Sequence, residues 1–145
     1  MLAQMIPAMI TTNTLNSIYS YFNDFSVEKG GALAVKDGVV IGFYPISNLD
    51  SNAKCYSPSF AELNAALEGF ERQGFSFGGI IHSHINGSNK PSKEDRDFFK
   101  LFLETNNQFE SLLFPIIYLK NGNKDIAWYL VNDKGINKVD IEIEL

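Results

Sequence analysis

The chain has 145 residues, 45% of them hydrophobic and 20% charged, with a formal charge of −5. That length fits one domain spanning residues 1–145, large enough to fold without disulfide staples, and the composition excludes a disordered chain. The acidic balance, with no cationic run, disfavours nucleic-acid binding, which draws its affinity from clustered Lys and Arg.

The first basic residue is Lys29, so the positive start of a secretory signal is missing, and Pro7 interrupts an apolar run too short to span a bilayer. The expectation is a cytoplasmic protein with no membrane segment. Leu15, Ile18, Tyr19 and Phe22 recur at helical spacing and predict a first helix near 14–24. Two β-rich runs follow, joined by Asp37-Gly38, a pair suited to a hairpin turn with positive φ at both positions. The one cysteine, Cys55, lies in the polar stretch after them. With no second thiol it reads as free and partly buried.

Pro58 and a capping box of Ser59 with Glu62 open a second helix, whose buried stripe is Phe60, Leu63, Leu67 and Phe70, with Gly74 as its stop. Phe77 to His84 reads as a buried strand with a polar end. A turn-rich loop to Pro91 follows, and Ser92 opens a third helix carrying Phe98, Phe99, Phe102 and Leu103. Residues 112–119 and 125–131 are strands joined through Asn121-Gly122. Val139, Ile141, Ile143 and Leu145 alternate with Asp140, Glu142 and Glu144, the pattern of a half-buried strand at a sheet edge. The order predicts an α/β fold, a mixed sheet packed between helices. Trp128 and Tyr129 read as packing residues.

The chemistry concentrates in His82-Ser83-His84, seven further residues, then Ser92-Lys93-Glu94-Asp95. Strand residues two apart point the same way, so both imidazoles converge, and a loop folded back brings Asp95 beside them from the first turn of the next helix. Two His nitrogens and one carboxylate oxygen fill three corners of a tetrahedral Zn2+ site and leave the fourth for water, whose pKa the metal lowers to about 7. A general base that is not a ligand is also needed. Glu28, just before the first strand and its Gly30-Gly31 pair, is the candidate, with Glu94 a weaker one. Ser92 is the candidate oxyanion donor. Ser-x-x-Asp is also an ordinary helix cap, and both roles can coexist, since a capped turn holds Asp95 rigidly.

At these residues the chain resembles the JAMM (MPN+/JAB) metalloprotease family: a Glu upstream (Glu28), His-x-His (His82, His84), seven residues, and Ser-x-x-Asp (Ser92, Asp95). The resemblance implies a cytidine-deaminase-like α/β/α sandwich with a mixed sheet, and a compact prokaryotic member of that family. It also implies cleavage of a peptide or isopeptide bond, often at the C-terminus of a ubiquitin-like protein. Ile85 stands where many members carry Pro. Four rivals differ by class. A non-haem iron site uses the same ligand types, but mostly in all-β barrels. A cytidine deaminase needs Pro-Cys-x-x-Cys, which one cysteine cannot supply. A RadC-like protein usually reads His-Asn-His-Pro. A non-catalytic binding module usually loses ligands that this chain retains.

Overall fold

The computed structural model describes residues 6–50, 52 and 54–144. Their elements run β1 (Met9–Thr11), α1 (Thr12–Tyr21), β2 (Gly30–Lys36), β3 (Val39–Ile46), α2 (Phe60–Arg72), β4 (Ser76–Ser83) and α3 (Lys93–Thr105). Six short strands complete the chain: β5 (Ser111–Leu113), β6 (Ile116–Lys120), β7 (Asn123–Ala127), β8 (Tyr129–Asn132), β9 (Gly135–Lys138) and β10 (Glu142–Glu144). They form one mixed sheet in the order β10-β1-β3-β2-β4-β5-β8-β9, with the β6–β7 hairpin branching from β4. Among these residues no helix is long and apolar enough to cross a membrane.

The period of two along β2 and β4 sorts the core onto two faces. Ala32, Ala34 and Ile80 pack with Leu63 and Phe70 of α2 and Phe99 and Phe102 of α3. Leu33, Val35 and Ile81 pack with Ile18 of α1 and with Phe22. This is the expected α/β/α arrangement. Both tight turns also match expectation: φ is +53° and +78° at Asp37 and Gly38, and +52° and +81° at Asn121 and Gly122.

One irregularity positions the site. Leu33 pairs with Gly79 but Ala34 with Phe77, so Gly78 is an extra residue, a β-bulge. Strict alternation from Phe77 would put Ile81 on the α2–α3 face. The bulge resets the phase, so Phe77 and Ile80 share that face. His82 and His84, two and four residues beyond Ile80, follow it. Beyond the bulge the neighbour of β4 changes: Gly79 pairs with Leu113 of β5, but His82 and Ser83 pair with Ile116 and Ile117 of β6. The expected strand at 112–119 is therefore two strands broken at Phe114 and Pro115. Likewise 125–131 is split at Trp128.

Other expectations are corrected. The first helix begins at Thr12, because the Thr11 side chain accepts from the Thr14 N–H at 3.2 Å, and it ends at Tyr21. Ser59 caps α2, but the Glu62 carboxylate accepts from Ser47 N–H and Oγ–H rather than from the Ser59 N–H. This docks the first turn on the neighbouring loop and leaves Phe60 55% exposed, outside its expected stripe. Cys55 is exposed: its N–H donates to Asp50 and its C=O accepts from Asn48, so the backbone turns inward and the thiol outward. Ile143 lies on β10 at the sheet rim and is 50% exposed, so half-burial of the last segment extends only to Val139 and Ile141. Leu145 lies outside the described residues.

Candidate metal centre

His82 and Ser83 end β4, His84 follows it, and Asp95 is the third residue of α3. The helix start is fixed by a reciprocal cap: Asp95 N–H donates to Ser92 Oγ at 3.1 Å, and Ser92 N–H donates to Asp95 Oδ2 at 2.8 Å. Such a cap stabilises a helix by about 1 kcal/mol. Here it also aims the carboxylate at the strand end. His82 Nε2 lies 3.0 Å from His84 Nε2 and 3.1 Å from Asp95 Oδ1, while His84 Nε2 lies 3.1 Å from Asp95 Oδ2. The structure brings the three expected ligands to one point.

Two nitrogens and a carboxylate this close and this buried need a cation among them, a proton or a metal. Donor atoms on one tetrahedral zinc ion are about 3.3 Å apart, so the observed spacing suits such an ion. The donor chemistry fits as well. His84 Nδ1–H donates to the Ser88 carbonyl at 2.9 Å, which leaves the Nε2 lone pair of the neutral ring directed at the centre. His82 is held differently. Its ring lies between Phe114 (centroids 4.8 Å apart, 8° between planes) and Tyr56 (6.1 Å, 20°), and its buried Nδ1 has no hydrogen-bond partner among the described residues.

The electrostatics separate the two rings. Burial pushes the pKa of His82 down, against the pull of Asp95. Burial also opposes charge on His84, but bonding and attraction to Asp95, together with Glu28 and the Ser88 carbonyl, outweigh it and raise that pKa. For Asp95 burial works upward, but hydrogen bonds from His82 and His84, attraction to His82 and the Ser92 N–H hold it well below the usual carboxylate range.

Glu28 completes the cluster. Gly30 pairs with His82 in the antiparallel β2–β4 ladder, so Glu28, two residues earlier, falls opposite His84. Its backbone is pinned: Lys29 N–H donates to Ser83 Oγ at 3.0 Å, Ser83 N–H to the Lys29 carbonyl at 2.9 Å, and Asn48 Nδ2 to the Glu28 carbonyl at 3.0 Å. The carboxyl is buried, facing the Tyr56 N–H. Burial pushes its pKa up to about 7, with His84 lowering and Asp95 raising it. Gly30 is required beside it: a Cβ there would stand 2.4 Å from the Tyr56 ring. Glu94, the weaker candidate base, is exposed.

Sequence reasoning missed Tyr56 and Phe114, which clasp His82, Asn48 and Ser83, which hold Glu28, and Ser88, which sets the His84 tautomer. Only Ser83 carried a signal, from its place between the two His. The others arrive through tertiary contacts that no local spacing encodes.

A family model described as prokaryotic homologs of the JAB domain matches residues 18–131. No curated protein matches the chain. Among solved structures, a solution structure of a protein from Desulfitobacterium hafniense is 22% identical with a TM-score of 0.73, covering 94% of this chain and 93% of that one. A crystal structure of a JAB1/MPN domain protein from Archaeoglobus fulgidus is 19% identical with a TM-score of 0.56, covering 95% and 98%. A solution structure of a protein from Salinibacter ruber is 18% identical with a TM-score of 0.59, covering 94% and 91%.

Proposed function

Because this chain belongs to the family of prokaryotic homologues of the JAB domain, we propose that it is a zinc-dependent hydrolase of a peptide or isopeptide bond. Its substrate would be a polypeptide, such as the C-terminus of a ubiquitin-like protein. One observation carries the reading: His82, His84 and Asp95 offer donor atoms 3.0–3.1 Å apart, with a buried carboxyl placed opposite His84 that is not among them. A buried carboxyl beside the ligands but outside their set supports a hydrolase over a non-catalytic module.

His82, His84 and Asp95 would hold the ion. Zinc, when bound, supplies Lewis acidity, lowering the pKa of a water to about 7 and polarising a carbonyl. The remaining steps fall to the protein. Glu28 takes a proton from the attacking water onto its carboxylate and returns it to the departing amine nitrogen. A pKa near neutrality suits both transfers. Pinning of its backbone by Ser83 and Asn48 keeps that carboxylate from drifting into the ligand set. Ser92 Oγ accepts from the Asp95 N–H, and its own O–H remains to donate to the carbonyl oxygen as charge develops there.

The test pairs two variants, with metal content measured by atomic emission and cleavage on a panel of ubiquitin-like fusions and peptides. Glu28→Gln retains one equivalent of zinc and loses turnover by about 10²–10⁴-fold. His82→Ala loses both metal and turnover. Normal cleavage by Glu28→Gln removes Glu28 as the base. A zinc-loaded wild type that cleaves nothing in the panel, or one equivalent of iron in protein purified without oxygen, overturns the reading.

A further inference from the structure

A groove of about 1390 Å³ lies between α3 and the β8–β9 hairpin, outside the ligand cluster. Its floor is apolar, built from Phe99, Leu103, Phe109, Tyr129, Val131 and Ile136. Its rim is cationic: Lys90, Arg96, Lys100, Lys134 and Lys138 are all exposed, and none of them forms an ion pair among the described residues. Glu104, Glu110 and Asp133 are the acidic residues of the lining. The groove thus gathers five of the chain's 12 cations against three of its 17 carboxylates. A local field opposite in sign to the net charge of −5 selects for an anionic occupant.

The groove adjoins the metal centre. Arg96 follows Asp95 along the chain. Tyr129 on the floor donates its O–H to the Asn89 carbonyl at 2.6 Å, inside the loop that joins His84 to Ser92. Phe99 packs on Phe114 (ring centroids 3.7 Å apart), which stacks on His82. Along α3 the lining runs from Arg96 to Glu104. At about 1.5 Å per helical residue that is about 12 Å, the length of about four extended residues. The volume exceeds the roughly 300–1,000 Å³ of small-molecule pockets. An apolar floor under a charged rim suits a mixed peptide better than a phosphate backbone, which takes its contacts from charge and hydrogen-bond donors.

We propose that this groove holds an acidic, partly apolar stretch of the substrate polypeptide, bound in extended form beside the scissile bond. The proposal rests on the hydrolase reading and adds the class of sequence it selects.

The test uses the full-length protein and two fluorescein-labelled ten-residue peptides, Leu alternating with Glu and Leu alternating with Lys, followed by fluorescence anisotropy. The Glu peptide binds at least about 10-fold tighter than the Lys peptide and weakens as salt rises from 50 to 300 mM. The double variant Lys134→Glu, Lys138→Glu, with an unchanged thermal melt, loses at least about 10-fold in affinity for it. The milder pair Lys134→Gln, Lys138→Gln loses less. Equal affinity for the two peptides, or no loss in the double variant, overturns the groove assignment whatever the cleavage assay reports. Tighter binding of a single-stranded oligonucleotide than of the Glu peptide overturns it too. So does binding that appears only after residues 2–5 are deleted, since the chain's own start would then be the occupant. Failure of hydrolysis itself is read separately, from the wild-type panel and Glu28→Gln.

Discussion

At the Gly78–Gly79 end of β4 the scarce quantity is space, whereas at the His82–His84 end it is compensating charge. The first end is squeezed between β2 and β5. A Cβ on Gly79 would stand 1.9 Å from the Leu113 carbonyl oxygen, and the residue adopts φ of +141°. The second end is paired on both sides, to Lys29 and, where β6 has replaced β5, to Pro115 and Ile117, and it holds two imidazoles and two carboxyls in partial or full burial. The two ends are coupled. The bulge at Gly78 sets the phase that turns both His toward α3, so tight packing upstream is the condition for the polar cluster downstream.

The largest expected effect breaks the first end. Gly79→Ala places a methyl group against the β5 backbone in a conformation that L residues rarely adopt, and it should destabilise the fold by about 4 kcal/mol or more. A urea midpoint shows this directly. A near-normal midpoint would mean that β5 can move away and that the strand switch is soft. Metal affinity should fall with stability in this variant, although no ligand is altered, because the register of the His pair depends on the bulge.

The same coupling decides what the sequence revealed. His82, His84 and Asp95 were legible because each spacing is local: two residues on a strand, three into a helix. The Asp37-Gly38 and Asn121-Gly122 turns were legible for the same reason, since positive φ demands particular residues. Glu28 could be named from its position but not placed, because its partner His84 lies across a ladder whose register only the folded sheet defines. The bulge was hidden inside a run that reads as one continuous strand. β1 and β10 were unreadable as a parallel pair: three-residue strands carry too little pattern, and Met9 and Glu142 meet only through the tertiary fold. Phe60 misled because its spacing fits the stripe, while Ser47 and Glu62 dock that turn elsewhere.

The second end is tested by charge rather than by size. In metal-free protein Glu28 keeps its proton to about pH 7, against 4.5 when unperturbed. The folded state therefore binds more protons than the unfolded state between those values, and this group's contribution to stability is present below about pH 4.5 and lost as pH rises to about 7. Over that window the loss is on the order of 3 kcal/mol at most. Glu28→Gln has no such ionisation, so chelated variant and wild type should differ little at pH 4.5, and the variant should be the more stable at pH 8. Parallel pH curves for the two proteins would show that the Glu28 carboxyl is better solvated than its burial implies. Added zinc should narrow the gap at pH 8, because a divalent cation nearby favours the ionised carboxylate.

The smallest effect separates two roles carried by one hydroxyl. Ser92 Oγ accepts from the Asp95 N–H as the cap, while its own proton is free to serve a substrate. Ser92→Ala should cost about 1 kcal/mol of stability, whereas Ser92→Gly should cost only a few tenths, since glycine is tolerated at an N-cap. Both remove the donor proton. In both, the Ser92 backbone N–H still holds Asp95 Oδ2, so zinc affinity should change little. If the hydroxyl stabilises the oxyanion, turnover falls by about 10²–10³-fold in both variants despite their unequal stabilities, and Ser92→Thr restores it. If turnover instead tracks stability, with the glycine variant nearly normal, the hydroxyl is a cap alone. The end of β4 would then act on its substrate through Glu28 and the metal without a third polar contact.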